Sequence, residues 1–229
     1  MRYILIIFSF LIIAGACNRV KEVIKPHTDT IFPLEVGQEW TYLVIDTTWL
    51  VGRRPVVDVY YKREQITGTN VDLVGREVFR LETFRTIDTT AGLTGFESER
   101  AGYLYRGSEF GERFLNNKRK VVLKWPAADG VQWNGNLYVG NPIHNEQYRY
   151  QNVDTTVSVF GTNYEQAVWV AHSLPSDAIS TIKNRVAYEV YAPEIGRIIT
   201  FDRTEVNDQS SADPFNAGES YTHIEMLIQ

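Results

Sequence analysis

From Phe32 to its end, the chain alternates apolar and polar positions with a period of two. Trp40-Thr-Tyr-Leu-Val-Ile, Val56-Val-Asp-Val-Tyr-Tyr and Glu77-Val-Phe-Arg-Leu-Glu-Thr-Phe read as strands. So do Tyr103-Leu-Tyr, Val121-Val-Leu-Lys-Trp, Thr156-Val-Ser-Val-Phe and Ala167-Val-Trp-Val-Ala. Val186-Ala-Tyr-Glu-Val-Tyr, Arg197-Ile-Ile-Thr-Phe and Tyr221-Thr-His-Ile-Glu-Met-Leu-Ile complete the set. β-Branched and aromatic residues fill these runs, and Gly, Asn, Asp and Pro separate them. Within Val78 to Thr86, Phe79 and Leu81 point one way, Arg80 and Glu82 the other. With no helical period between the runs, the pattern predicts a mainly β, antiparallel fold. It is a strongly curved sheet, half-barrel or β-sandwich with few or no helices.

The turns have mechanisms of their own. Phe160-Gly161-Thr162-Asn163 and Pro193-Glu194-Ile195-Gly196 fit hairpin connections, with residues that tolerate positive φ. Asn207 to Glu219 has little to bury and reads as the most mobile loop, and Ser173 to Asn184 as a second. One pattern occurs twice. Phe32-Pro33-x3-Gly37-x2-Trp40 and Trp125-Pro126-x3-Gly130-x2-Trp133 each bend the chain into a strand, 93 residues apart. The pair reads either as duplicated halves or as one turn used twice.

The N-terminus differs from the body. One cation, Arg2, precedes ten apolar residues, Ile4 to Ile13, and then the small Ala14-Gly15-Ala16. This is the layout of a secretory signal peptide, too short to span a bilayer, which takes about 20 residues. The only cysteine, Cys17, follows at once. Ordinary signal cleavage would also cut before Cys17 and leave a free thiol. Lipidation explains why the single cysteine stands where it does. Residues 1–16 are read as the signal peptide, 17–31 as lipidated cysteine and tether, and 32–229 as a single all-β domain.

Ala14-Gly15-Ala16-Cys17 resembles the lipobox of bacterial lipoproteins, with Ala14 where Leu is usual. Phe-Pro-Leu-x-Val-Gly-x-x-Trp-Thr-Tyr at Phe32 to Tyr42 and the central Pro-x-x-x-Gly-x-x-Trp add to the resemblance. So do the hairpin Val157 to Tyr164 and Tyr-Ala-Pro-x-x-Gly at Tyr191 to Gly196. Together they resemble a loosely defined family of Bacteroidota envelope lipoproteins of unknown function. In that family the hairpin runs Val-Pro-Ala-Gly-Thr-Phe; here Phe160 replaces Pro-Ala. The resemblance implies an all-β envelope lipoprotein. Asn18 is not an acidic inner-membrane retention signal, and the acidic cluster that exports some Bacteroidota lipoproteins to the surface is missing, so the expected location is the outer membrane, periplasmic face before cell surface. It carries over no catalytic residue. A curved sheet like that of lipoprotein-carrier proteins is a more distant analogy.

Composition narrows the function. The 229 residues are 44% hydrophobic and 13% aromatic, enough for a packed core. A formal charge of -5 leaves no basic surplus for nucleic acid. One cysteine excludes an intrachain disulfide and Cys-based metal sites. His27, His144, His172 and His223 form no local metal pair, although His172 and His223 lie in strands that can converge. Ser180-x-x-Lys183 lacks the context of a penicillin-binding enzyme, and Glu97 with Glu99 fits an exposed charged strand. No catalytic residue, metal or cofactor is expected. Aromatics among Gly, Asn and Arg are the candidate ligand contacts: Tyr103, Tyr105, Trp133, Tyr138, Tyr148 and Tyr150. The expectation is a non-enzymatic, lipid-anchored β domain that binds a ligand or an envelope protein. The alternatives are a carrier of a hydrophobic ligand, and a glycan-acting hydrolase with paired carboxylates.

Overall fold

A computed structural model describes residues 28–49, 53–86, 90, 92–138, 146–173, 183–206 and 220–228. One helical turn, α1 (Thr28–Ile31), leads into twelve strands. The first half holds β1 (Glu39–Trp49), β2 (Val56–Val71), β3 (Glu77–Thr86), β4 (Glu97–Arg106), β5 (Phe110–Leu115) and β6 (Lys118–Lys124). The second holds β7 (Gln132–Asn134), β8 (Gln147–Val159), β9 (Thr162–Ser173), β10 (Lys183–Ala192), β11 (Gly196–Val206) and β12 (Ser220–Leu227). They form one antiparallel sheet, ordered β6-β5-β4-β3-β2-β1-β12-β11-β10-β9-β8-β7. Apart from β6 and β7, sequence neighbours pair, and β1 also pairs with β12, Tyr42 lying opposite Leu227.

The sheet curls until its free edges meet at mid-chain. The Val121 N–H of β6 donates to the Gly135 carbonyl at 2.9 Å. The Trp133 indole of β7 donates to the Val121 carbonyl at 2.8 Å. The result is a single sheet nearly closed into a barrel, the curved alternative of the sequence reading rather than the sandwich. Strands β5 and β7 and the first half of β8 add to the ten runs read from the sequence.

Odd-numbered strands start and even-numbered strands finish at one end of the barrel. There α1 and the residues after it form a plug. The Glu194 N–H bonds the Thr30 carbonyl, and the Arg106 guanidinium reaches the Phe32 carbonyl at 2.9 Å. Ile31, Phe32 and Leu34 are buried with Trp40 and Trp125. Thr30 and Ile31 are thus packed against the barrel.

The twofold sequence pattern is a twofold structural pattern. Gly37 and Gly130 both have positive φ, 94° and 81°. The Gly37 N–H bonds the Ile66 carbonyl in β2, and Ile66 returns its N–H to Gln38. The Gly130 N–H bonds the Tyr150 carbonyl in β8, and Tyr150 returns its N–H to Val131. Even the preceding turns match, Gln38 to Glu35 and Val131 to Ala128, both at 3.1 Å. Each tryptophan then donates its indole N–H to a backbone carbonyl, Trp40 to Ile195 and Trp133 to Val121. The two segments thus open corresponding strands, β1 and β7, of two six-stranded halves.

Strand packing is close where β4 crosses β5. A Cβ on Gly102 would lie 2.2 Å from the Phe114 carbonyl oxygen, a backbone atom. Gly102→Ala is expected to lower stability by about 3 kcal/mol, because the sheet itself must shift. The urea midpoint of the variant measures this; an unchanged midpoint would show that β4 and β5 separate freely.

Candidate functional site in the barrel lumen

Alternation on β2 turns Tyr60, Lys62, Glu64 and Ile66 inward, so two charges enter the lumen between apolar neighbours. Arg113 of β5, Glu189 of β10, Arg197 of β11 and Glu225 of β12 meet them. Lys62 Nζ lies 3.0 Å from Glu64 Oε1 and also contacts Glu225. Arg197 Nη2 is 3.1 Å from Glu64 Oε1 and 2.9 Å from Glu225 Oε2, and Nη1 is 3.5 Å from Glu189 Oε1. Arg113 pairs with Glu64. The Tyr42 ring lies 5.0 Å from Lys62 Nζ and 5.2 Å from the Arg197 guanidinium carbon. None of these charges could stay ionised in an apolar lumen without the others.

Burial alone would raise the Glu225 carboxyl; Lys62 and Arg197 outweigh it and hold it well below the usual carboxylate range. Glu64 is lowered likewise, with Arg113, Lys62 and Arg197 outweighing its burial. The two lumen histidines diverge. His223 meets Asp46 Oδ1 through Nδ1 at 2.5 Å and Glu225 Oε1 through Nε2 at 3.0 Å. These bonds outweigh desolvation and raise it to about 9. His172 is lowered, because desolvation dominates and Glu189 offsets only part of it. At neutral pH His223 is charged and His172 is not.

Above this network is a cavity of about 340 Å³. It reaches the end of the barrel opposite the plug, where Asn116 and Lys118 stand at the β5–β6 turn. Seven lysine and arginine side chains line it beside the charged His223: Lys62, Arg100, Arg113, Lys118, Lys120, Arg185 and Arg197. Four carboxylates do: Glu64, Glu189, Asp202 and Glu225. Glu146 behind the wall takes Lys120 at 3.1 Å and also Arg185. Lys118 makes no ion pair among the described residues, so the lining keeps a positive surplus. Five buried polar atoms on the described lining lack a protein hydrogen-bond partner: Thr83 Oγ1, Arg100 Nε, His172 Nε2, Arg197 Nε and Thr200 Oγ1. Such atoms are scarce in packed interiors, and each calls for an explanation such as a bound water, ion or ligand.

The six candidate aromatics separate. Tyr148 lines the cavity, stacked on His172 at 4.0 Å and 4°, and its hydroxyl donates to Glu146 at 3.2 Å. Trp133 and Tyr150 are buried at the seam, centroids 4.8 Å apart. The Tyr150 hydroxyl donates to the Lys124 carbonyl at 2.7 Å and accepts from the Lys124 N–H at 3.0 Å, stapling β8 to β6. Trp133 and Tyr150 are thus sheet closure rather than binding loop. Tyr103 and Tyr105 lie outside the barrel, in a groove of about 720 Å³ shared with Phe114 and the β2–β3 turn. There Arg76 lies 4.2 Å over Tyr105, Arg119 lies 3.7 Å over Tyr138, and both guanidiniums hold the buried Glu112.

His172 and His223 do converge on one cavity, but no group of three or more metal-ligating side chains forms among the described residues. Glu97 and Glu99 are exposed on β4, Glu99 paired with Arg100 at 2.7 Å. Cys17, His27, His144, Ser180 and the whole loop Asn207 to Glu219 lie outside the described residues. Sequence reasoning missed Lys62, Glu64, Arg113, Arg197 and Glu225. The only available signal was the pair of opposite charges at i and i+2 between Tyr60 and Ile66.

No family model and no curated protein matches the chain. Among solved structures it is similar to a candidate lipoprotein of Parabacteroides distasonis. That match has a TM-score of 0.33 and 13% identity, over 87% of this chain and 98% of that one. It is also similar to a candidate exported protein with a YmcC-like fold from Bacteroides fragilis. Here the TM-score is 0.35 and the identity 12%, over 87% of this chain and 99% of the other.

Proposed function

We propose that the chain is a lipid-anchored protein of the cell envelope that binds a small anionic ligand in its barrel lumen and does no chemistry on it. The anchor is Cys17, and the location is the periplasmic face of the outer membrane. The signal layout of residues 1–16 and the single cysteine after it support that address. The cationic surplus around a cavity with five polar atoms that lack a hydrogen-bond partner carries the ligand reading. A carrier of apolar molecules would need an apolar lumen, and this one is crossed by charge. A glycosidase needs one carboxyl kept neutral. Glu64, Glu225 and Glu146 are all held low, Glu146 to about 2 by Lys120 and Arg185 against its burial.

Native mass spectrometry of the mature chain, purified gently from the periplasm, is expected to show an acidic adduct that high salt removes. Citrate, as a defined polyanion, is expected to bind the wild type. In Lys118→Glu its affinity should fall about tenfold, the loss of about 1.4 kcal/mol. A retained apolar adduct, or equal citrate affinity in both proteins, would refute the reading.

A further inference from the structure

The longest strands, β2 with 16 residues and β8 with 13, hold corresponding places in the two six-stranded halves. Their hairpins, β2–β3 and β8–β9, turn at the plugged end, on opposite sides of the ring. Each outruns the neighbouring strand on one side. β1 starts opposite Gln65, so β2 continues past it to Val71. β7 pairs only with Gln147 to Arg149, so β8 continues past it to Val159. The tips carry apolar side chains in the open: Leu73 is 106% exposed, Val74 74% and Phe160 59%. Val36, in the loop before β1, is exposed at the same end.

The first described residue, Thr28 of α1, also lies at that end. Thr28 in α1 stands eleven residues after Cys17, a reach of roughly 40 Å at full extension. We propose that the plugged end rests on the bilayer, with Leu73, Val74 and Phe160 entering the lipid interface, so that the cavity opens away from the membrane. The proposal rests on Cys17 as the anchor. Anchored proteins with apolar turn tips at the anchored end gain a second and third contact at little entropic cost, because the tether has already brought them to the surface. The surrounding charge selects the lipid. Glu35, Glu77, Glu109, Asp129 and Glu194 are exposed at this end beside Lys124, so a zwitterionic surface fits and an anionic one is repelled.

The test uses the only cysteine. Cys17 of the mature chain is coupled to maleimide-bearing phosphatidylethanolamine vesicles, which fixes the anchor whether or not cells acylate it. Amide hydrogen exchange is compared with the same chain coupled to a soluble maleimide polymer. Exchange is expected to slow severalfold at Asp72 to Arg76 and at Phe160 to Thr162, and to stay unchanged at Asn116 to Lys118. The slowing should disappear in L73D/V74D and weaken when phosphatidylglycerol is added. Slowing at the Asn116 turn, no slowing at the tips, or equal slowing on the soluble polymer would overturn the proposal; the last result would assign the tips to a second copy of the chain. The mass of the N-terminal peptide from cells decides the anchor separately: an unacylated Cys17 ends the lipoprotein reading and leaves the vesicle result to stand or fall by itself.

Discussion

Replacing Arg197 with methionine is expected to remove roughly 3–5 kcal/mol of folding stability, the range for breaking a buried ion pair from one side. Arg197 is the hub of the lumen, within 3.5 Å of Glu64, Glu189 and Glu225. Those three side chains are 4%, 10% and 7% exposed, so water cannot take over from the guanidinium. After the substitution Lys62 and Arg113 are left to balance the carboxylates that Arg197 shared with them. Arg197→Lys should recover only part of the loss, since an ammonium is a single point where the guanidinium fork reaches three acceptors. Adding Glu225→Gln to the Arg197→Met variant should restore part of the stability, because it removes one of the charges left over. Urea unfolding followed by tryptophan fluorescence gives all four values. A loss below about 1 kcal/mol for Arg197→Met would mean that the network is effectively solvated.

The same residues show what a sequence can and cannot reveal. Strands such as β3 and β12 were legible because apolar and polar residues alternate along them. On β2 the inward set Tyr60, Lys62, Glu64, Ile66 is as polar as the outward set Tyr61, Arg63, Gln65. Alternation then gives two faces without saying which is inside. Strand β5, Phe-Gly-Glu-Arg-Phe-Leu, hides for a related reason. Its adjacent charges, Glu112 and Arg113, go to opposite sides, each neutralised by a partner distant in sequence, Arg76 and Glu64. Tyr148 and Tyr150 looked like loop aromatics among Gln, Arg and Asn. Those polar neighbours are the outward half of β8. The repeated Pro-x3-Gly-x2-Trp was visible as a pattern, but its meaning needed the backbone bonds to Ile66 and Tyr150, 29 and 20 residues beyond each glycine. Ion pairing across the barrel is a property of closure, and closure is a long-range fact.

Stability is expected to peak near pH 6.5 and to fall on both sides for reasons that trace to two histidines. His223 is raised to about 9 in the folded protein, against about 6.5 when free. A base whose folded value lies above its unfolded value stabilises fully below the unfolded value, and loses that contribution as pH rises through the folded one. Between about pH 6.5 and pH 9 the loss should approach about 3 kcal/mol. The groups facing the imidazole fit this window. Asp46 and Glu225 are already ionised throughout it, and the Tyr60 hydroxyl that donates to Asp46 at 3.0 Å stays protonated because burial raises it. His172 acts in the opposite sense. Burial lowers it, so the unfolded chain binds its proton first as pH falls below 6.5, and stability declines toward acid. His223→Gln should flatten the alkaline limb and leave the acid limb, and His172→Gln should do the reverse. Urea midpoints from pH 5 to pH 9.5 separate the two. A wild-type curve that is level from pH 7 to pH 9 would break the link between the Asp46–His223–Glu225 triad and folding, and an alkaline limb that survives His223→Gln would assign it to another group.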